Sequence, residues 1–216
     1  MGEDSIEGGV PHVNTNKDSK QTPKLDRISE SAIGRRSFDE HLKELEINVQ
    51  DLKGRVLDIG SGTMEQFAEG AGKHGIEVVS VNPKLAFQAD RTQRKHDLEQ
   101  KRDNKIAEEP IAAIVQELPF KEGSFGTVIS LNAAPTWLEP DDYGSAFGEI
   151  YRVLKTDGKA YLGPFDKKDY GVIEKALVGI GANYELVDTP ESKEILKEHG
   201  KIGDWDHKYN IIITKQ

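Results

Sequence analysis

The chain has 216 residues, a length that suits one domain with a substantial core plus a tail. Its 29 Lys and Arg against 38 Asp and Glu leave a net charge of −9, which argues against broad electrostatic binding to nucleic acid or an anionic membrane. With no cysteine there is no disulfide and no thiolate metal site. No apolar run reaches the length of a membrane span, and none forms the apolar centre of a secretory leader, so a soluble cytoplasmic protein is the expectation.

Residues 1–35 are polar, with Gly8, Gly9, Pro11 and Pro23 among scattered Ser, Asn and Lys. Such a stretch buries too little surface to offset chain entropy, and it reads as a disordered tail ahead of a single domain over 36–216. Ser37 and Glu40 form a capping-box pattern, and Phe38, Leu42, Leu45, Val49 and Leu52 follow at helical spacing. They predict a helix across 36–53, ended by Gly54. Its expected place is packed on the domain, with a position over a ligand cleft as the alternative.

Alternation of strand and helix follows. Residues 55–59 read as a buried strand, 64–74 as a helix stopped by Gly75, and 77–81 as a second strand. Pro83 opens a charged helical stretch over 84–104. Residues 111–115 and 127–131 read as the third and fourth strands. Asp141 or Asp142 caps a helix running to Leu154, and Asp157-Gly158 makes a turn before a fifth strand over 159–165. A helix over 170–180 ends at Gly181, and 184–187 and 209–214 are the last strands. Residues 191–199 form at most a short helix. The expected fold class is α/β, a Rossmann-like doubly wound sheet of seven mostly parallel strands with an antiparallel final strand.

The most informative run is Val56-Leu57-Asp58-Ile59-Gly60-Ser61-Gly62. A strand, a glycine turn and a helix in that order form a nucleotide-type binding unit. Glycine lets backbone come close to a ligand, and the helix start presents N–H groups to it.

Three further runs occur in order: Val78-Val79-Ser80-Val81-Asn82-Pro83, then residues 118–125 (Leu-Pro-Phe-Lys-Glu-Gly-Ser-Phe), then residues 149–158 with Glu149, Arg152 and Gly158. Together with the glycine turn, these runs make the chain resemble the class I S-adenosylmethionine-dependent methyltransferases of the type 11-like group, by motif over about 53–165. The resemblance implies S-adenosylmethionine as cofactor and a small molecule as methyl acceptor. It implies a cofactor site of Asp58, Gly60, Ser61, Gly62, Asn82, Ile114, Val115 and Asn132, with Asp58 placing the ammonium group. Trp137 is the substrate-lining candidate, and Asn132 is a second candidate for contact with substrate. Asp58 has an alternative role, satisfying backbone N–H groups of its own turn.

The chain also departs from the family pattern. Met64 stands where a third glycine is common, and Asn82 where an acid grips the ribose. Ile114 or Val115 falls where an acid often meets the adenine, and Gly126 where Asp usually follows the Gly-Ser-Phe run. These departures motivate a second reading, a non-catalytic protein of the same fold that acts as a binding or scaffold module. A dinucleotide oxidoreductase ranks below both, because Glu65 occupies the sixth turn position where its fingerprint requires glycine. The run Asp204-Trp205-Asp206-His207 reads as a surface loop, since no further ligand stands at metal spacing. Lys84, Arg91, Arg94, Lys95, Lys101 and Arg102 alternate with acids and read as a solvated helix face.

Overall fold

A computed structural model describes residues 36–62, 66–83, 111–134, 138–203 and 207–216. The expected tail, the predicted helix over 84–104, Met64, Trp137 and residues 204–206 lie outside the described residues.

Six strands form one sheet: β1 (Val56–Ile59), β2 (Val78–Val81), β3 (Phe125–Leu131), β4 (Leu154–Asp166), β5 (Asn183–Asp188) and β6 (Lys208–Thr214). Their order across the sheet is β2-β1-β3-β4-β6-β5. The first four run parallel, and β6 runs antiparallel to both β4 and β5. Every residue of β1 and β2 is buried. That is why these runs are continuously apolar rather than alternating, as expected for strands covered on both faces.

Helices α3 (Tyr143–Val153) and α4 (Tyr170–Gly179) cover one face. There Phe147, Ile150, Ile173 and Leu177 pack on Leu57, Val79, Val128, Leu162 and Ile211. Helices α1 (Phe38–Leu45) and α2 (Gln66–Gly72) cover the other. There Phe38, Leu42, Leu45, Phe67 and Ala71 pack on Val56, Val78, Ile129 and Tyr161. The two helices come very close, since a Cβ on Gly70 would lie 2.2 Å from the Phe38 Cβ. Helix α5 (Pro190–His199) precedes β6.

Three expectations are corrected. Among the described residues the sheet has six strands, because residues 111–115 do not extend into one. Ile111 makes a single bridge to Val81: its N–H reaches the Ser80 carbonyl at 2.8 Å, and its carbonyl accepts from the Asn82 N–H at 3.0 Å. The pairing goes no further than this bridge among the described residues. The chain turns at Glu117, whose N–H donates to the Ile114 carbonyl.

The first helix ends at Leu45 instead of running to 53. Glu46 takes a left-handed conformation, φ 55, and its N–H donates to the carbonyls of Leu42 and Lys43. Ile47 then folds back onto Leu42, and a 3-10 turn over Val49–Asp51 buries the later periodic residues separately. The capping box at Ser37 and Glu40 is formed as the sequence predicts. Finally, α5 is a full ten-residue helix, with Thr189 accepting from the Ser192 N–H and Pro190 in its first turn. A Thr-Pro start favours such a helix, because Pro lacks only an N–H that the first turn leaves unpaired anyway.

Two of the sequence motifs meet through one side chain. Arg152 of α3 bonds both carboxylate oxygens of Glu149, at 2.6 and 2.8 Å. It also donates to the carbonyls of Phe120 at 2.7 Å and Leu118 at 3.0 Å, while Glu149 accepts the Leu118 N–H at 2.8 Å. Arg152 therefore clamps the Leu-Pro-Phe segment to α3, and these contacts hold the Glu149 carboxyl below its ordinary value. Arg152→Ala is expected to cost about 1–2 kcal/mol, the value of bonds to a charged group discounted for partial exposure. A depressed carboxyl pKa gives stability that is present above the unfolded value and lost as pH falls through the folded one. Urea titrations at pH 7 and below pH 4.5 should therefore show the gap between wild type and variant narrowing in acid.

Candidate functional site

In an open α/β sheet, ligands bind at the carboxyl edge of the parallel strands. Here that edge is where β1 ends in the glycine turn, β2 ends at Asn82 and β3 ends at Asn132. Asp58 is 2% exposed and paired in register with Ser80 and Ile129. By strand alternation it faces the α1 and α2 side, with Val56. Gly60 and Gly62 have φ of 81° and 70°, the left-handed region where a side chain is strained.

The turn is held from within the protein. The N–H groups of Gly60 and Ser61 both donate to the Val81 carbonyl, at 2.7 and 3.3 Å. The Ser130 hydroxyl donates to the Ile59 carbonyl at 3.0 Å. The buried Asn82 donates its amide N–H to the Gly62 carbonyl at 2.9 Å, and Ser61 Oγ reaches the same carbonyl at 3.3 Å. Gly60 also meets Ala133: a Cβ at position 60 would lie 2.1 Å from the Ala133 Cβ. Its glycine character is therefore set by the loop after β3.

The structure gathers Asp58, Gly60, Ser61, Gly62 and Asn82 around this turn. Ile114 and Val115 follow the Ile111 bridge beside β2, Ile114 46% exposed and Val115 buried. Asn132 ends β3 with φ 52, its N–H donating to the Gly163 carbonyl at 2.7 Å. Its amide points to Glu44 of α1, with Nδ2 3.4 Å from Oε2. Gly126, counted with the cofactor departures, belongs elsewhere. It lies at the amino end of β3, where a Cβ would come 2.3 Å from the Lys53 carbonyl oxygen. Its lack of a side chain is a packing requirement of that end of the sheet.

Sequence reasoning missed the polar side of α1. Arg36, Glu40, Lys43 and Glu44 line a cavity of about 500 Å³ with Leu131, Pro164, Lys208 and the start of α5. A charged residue facing solvent and one facing a cavity look alike in sequence. The capping box and the helical spacing located the helix without showing what its polar side faces. Asn210, buried on β6, donates to the Glu44 carbonyl at 2.7 Å, and a Cβ on Gly163 would lie 2.1 Å from its Oδ1. A lysine–glutamate pair, Lys193 with Glu46, joins α5 to the end of α1.

Burial pushes the phenols of Tyr143 and Tyr161 up to about 12, so both stay neutral near pH 7 and neither supplies a phenolate base. His207 donates its Nε2–H to the Asp188 carboxylate at 2.6 Å and lies against Tyr209, an Asp–His pair that the surface-loop reading of residues 204–207 did not foresee. Among the described residues no group of three His, Asp or Glu is placed to hold a metal, and no helix is long and apolar enough to cross a membrane.

Comparison with known proteins points in one direction. The family model described as a methyltransferase domain matches residues 57–162. Among solved structures, a TehB-like S-adenosylmethionine-dependent methyltransferase from Corynebacterium glutamicum is 18% identical, covers 75% of this chain and 80% of its own, and superposes with TM-score 0.54. A geranyl diphosphate methyltransferase in complex with its substrate and sinefungin is 12% identical over 80% of this chain and 76% of its own, TM-score 0.55. The [4+2]-cyclase SpnF is 18% identical over 84% and 83%, TM-score 0.55. At these identities the likeness is one of fold. A search of curated proteins finds no match.

The position of Gly126 carries its own test. Gly126→Ala is expected to lower stability by about 1–3 kcal/mol, the usual cost of overpacking against a backbone that cannot yield. A thermal melt should drop by several degrees, while ligand binding at the opposite end of β3 stays unchanged.

Proposed function

We propose that this chain, whose residues 57–162 match the methyltransferase-domain model, is a class I S-adenosylmethionine-dependent enzyme moving the methyl group of S-adenosylmethionine onto a small-molecule acceptor. The observation that carries the reading is the buried carboxylate of Asp58 beside the two left-handed glycines at the end of the central parallel strand.

The residues suit the parts of the ligand. An ionised carboxylate is an acceptor with about four lone-pair sites, so Asp58 can serve both its own turn and a ligand ammonium. Gly60, Ser61 and Gly62 give a surface of backbone with no protruding side chain at the glycines. Asn82 spends its amide N–H on Gly62 and shapes the turn, so its grip on a ribose hydroxyl is a neutral bond, about half as strong as that of an acid. The exposed Ile114 and buried Val115 offer an apolar flank for adenine. The cofactor supplies a methyl group activated on a cationic sulfonium. The protein's work is alignment of donor and acceptor at the carboxyl edge, which contributes much of the acceleration in such a displacement.

A small acceptor is supported by the acidic surface, which disfavours polyanionic partners, and by the geranyl diphosphate methyltransferase of the same fold. The contact of Gly60 with Ala133 favours a second reading, a non-catalytic member whose glycine turn serves packing alone. Isothermal titration separates the two. S-adenosylmethionine and its demethylated product are expected to bind the full chain, and Asp58→Ala to weaken binding at least about tenfold, or 1.4 kcal/mol. No heat of binding up to millimolar ligand would refute the enzyme reading.

A further inference from the structure

The cavity beside α1 contains one carboxylate that the fold holds from several directions. Glu44 Oε1 accepts from Arg36 Nε at 2.7 Å, and Oε2 lies 3.4 Å from Asn132 Nδ2. Its backbone carbonyl accepts from the buried Asn210 at 2.7 Å. Asn132 is itself fixed in a left-handed conformation by its bond to Gly163. Thus the segment before α1 and the end of β3 converge on one carboxylate, and β6 holds the backbone of the same residue.

Burial and direction make this more than a structural knot. The Glu44 side chain is 38% exposed and lines the 500 Å³ cavity with Leu131 and Pro164, the carboxyl-end residues of β3 and β4. Arg36 and Asn132 occupy two of its roughly four acceptor sites, so the remainder can face a ligand. The phenols of Tyr143 and Tyr161 are held neutral, so neither competes as a base near pH 7.

We propose that Glu44 is the catalytic residue that binds the acceptor's N–H or O–H in this cavity and takes its proton as the methyl group arrives. The inference rests on the methyltransferase reading and narrows its substrate class to small protic acceptors, amines or hydroxyl compounds. The new bond joins the acceptor nitrogen or oxygen to the methyl carbon. The sulfur–methyl bond breaks with its electron pair passing to sulfur, leaving a neutral thioether. The displaced acceptor proton goes to the Glu44 carboxylate, so charge and atoms balance.

Two readouts on the full chain test it. In the first, protein-observed NMR without cofactor follows phenol and benzylamine as protic probes, with anisole as the probe that lacks an O–H. The protic probes should shift amide signals at Glu44 and Asn132, and Glu44→Gln should weaken their binding about tenfold while leaving that of anisole unchanged. Equal binding of the protic probes to wild type and Glu44→Gln would overturn the proposal. In the second, methyl transfer from labelled S-adenosylmethionine to a panel of small amines and phenols is measured. Glu44→Gln should lower kcat about 100-fold or more, the scale of a general base, and leave the KM for the donor unchanged. Glu44→Asp, which keeps the charge, should fall between. An unchanged rate in Glu44→Gln would sink the idea. Failure of wild type to bind the donor would instead refute the methyltransferase reading, and the NMR comparison would still decide whether Glu44 receives protic ligands.

Discussion

The carboxyl edge of this sheet depends on how closely the loop after β3 approaches the glycine turn after β1. No side chain fits between Gly60 and Ala133. The Val81 carbonyl receives two N–H groups from the turn, Asn82 donates to the carbonyls of Ile111 and Gly62, and Ser130 donates to that of Ile59. The ends of β1, β2 and β3 are thus tied to one another by short bonds between buried groups. A buried polar group left unpaired is costly, so each bond strongly favours one backbone path and the turn is preorganised before any ligand arrives.

A second set of ties brings α1 to the same edge. Its apolar side packs Phe38, Leu42 and Leu45 against α2 and the sheet. Its polar side stands over the ends of β3 and β4, anchored through Asn132, Asn210 and the lysine of α5. The helix packs on the domain through one face, and its other face borders a cavity. The amphipathic pattern serves both at once, since one stripe is desolvated and the other meets a water-accessible cavity.

The motif between residues 118 and 158 has a mechanical meaning rather than a chemical one. Arg152 and Glu149 grip the Leu-Pro-Phe segment, in which Leu118 is buried along with Val115 just before it. Motifs that co-occur along a chain are here two halves of one hydrogen-bonded unit, which explains why each alone says little. Gly126 teaches the complementary lesson. A residue that departs from a family pattern can do so because of a backbone contact at the far end of its strand, with no bearing on the site.

Much of the fold was legible in the amino-acid sequence. Continuous apolar runs at β1 and β2 announced strands buried on both faces, the capping box placed the start of α1, and the left-handed glycines were marked by their position after β1. These are local signals, written in side-chain period and backbone propensity within a few residues. What the sequence could not decide was pairing and direction. Residues 111–115 had the composition of a strand but met only the last residue of β2, in a single bridge. Val49 and Leu52 kept helical spacing but followed a left-handed Glu46. Glu44, Asn210 and Gly163 were ordinary letters until residues 166 positions apart in the chain came within 2.7 Å. Long-range contacts of this kind depend on how helices and strands pack against one another, and only the tertiary structure specifies that.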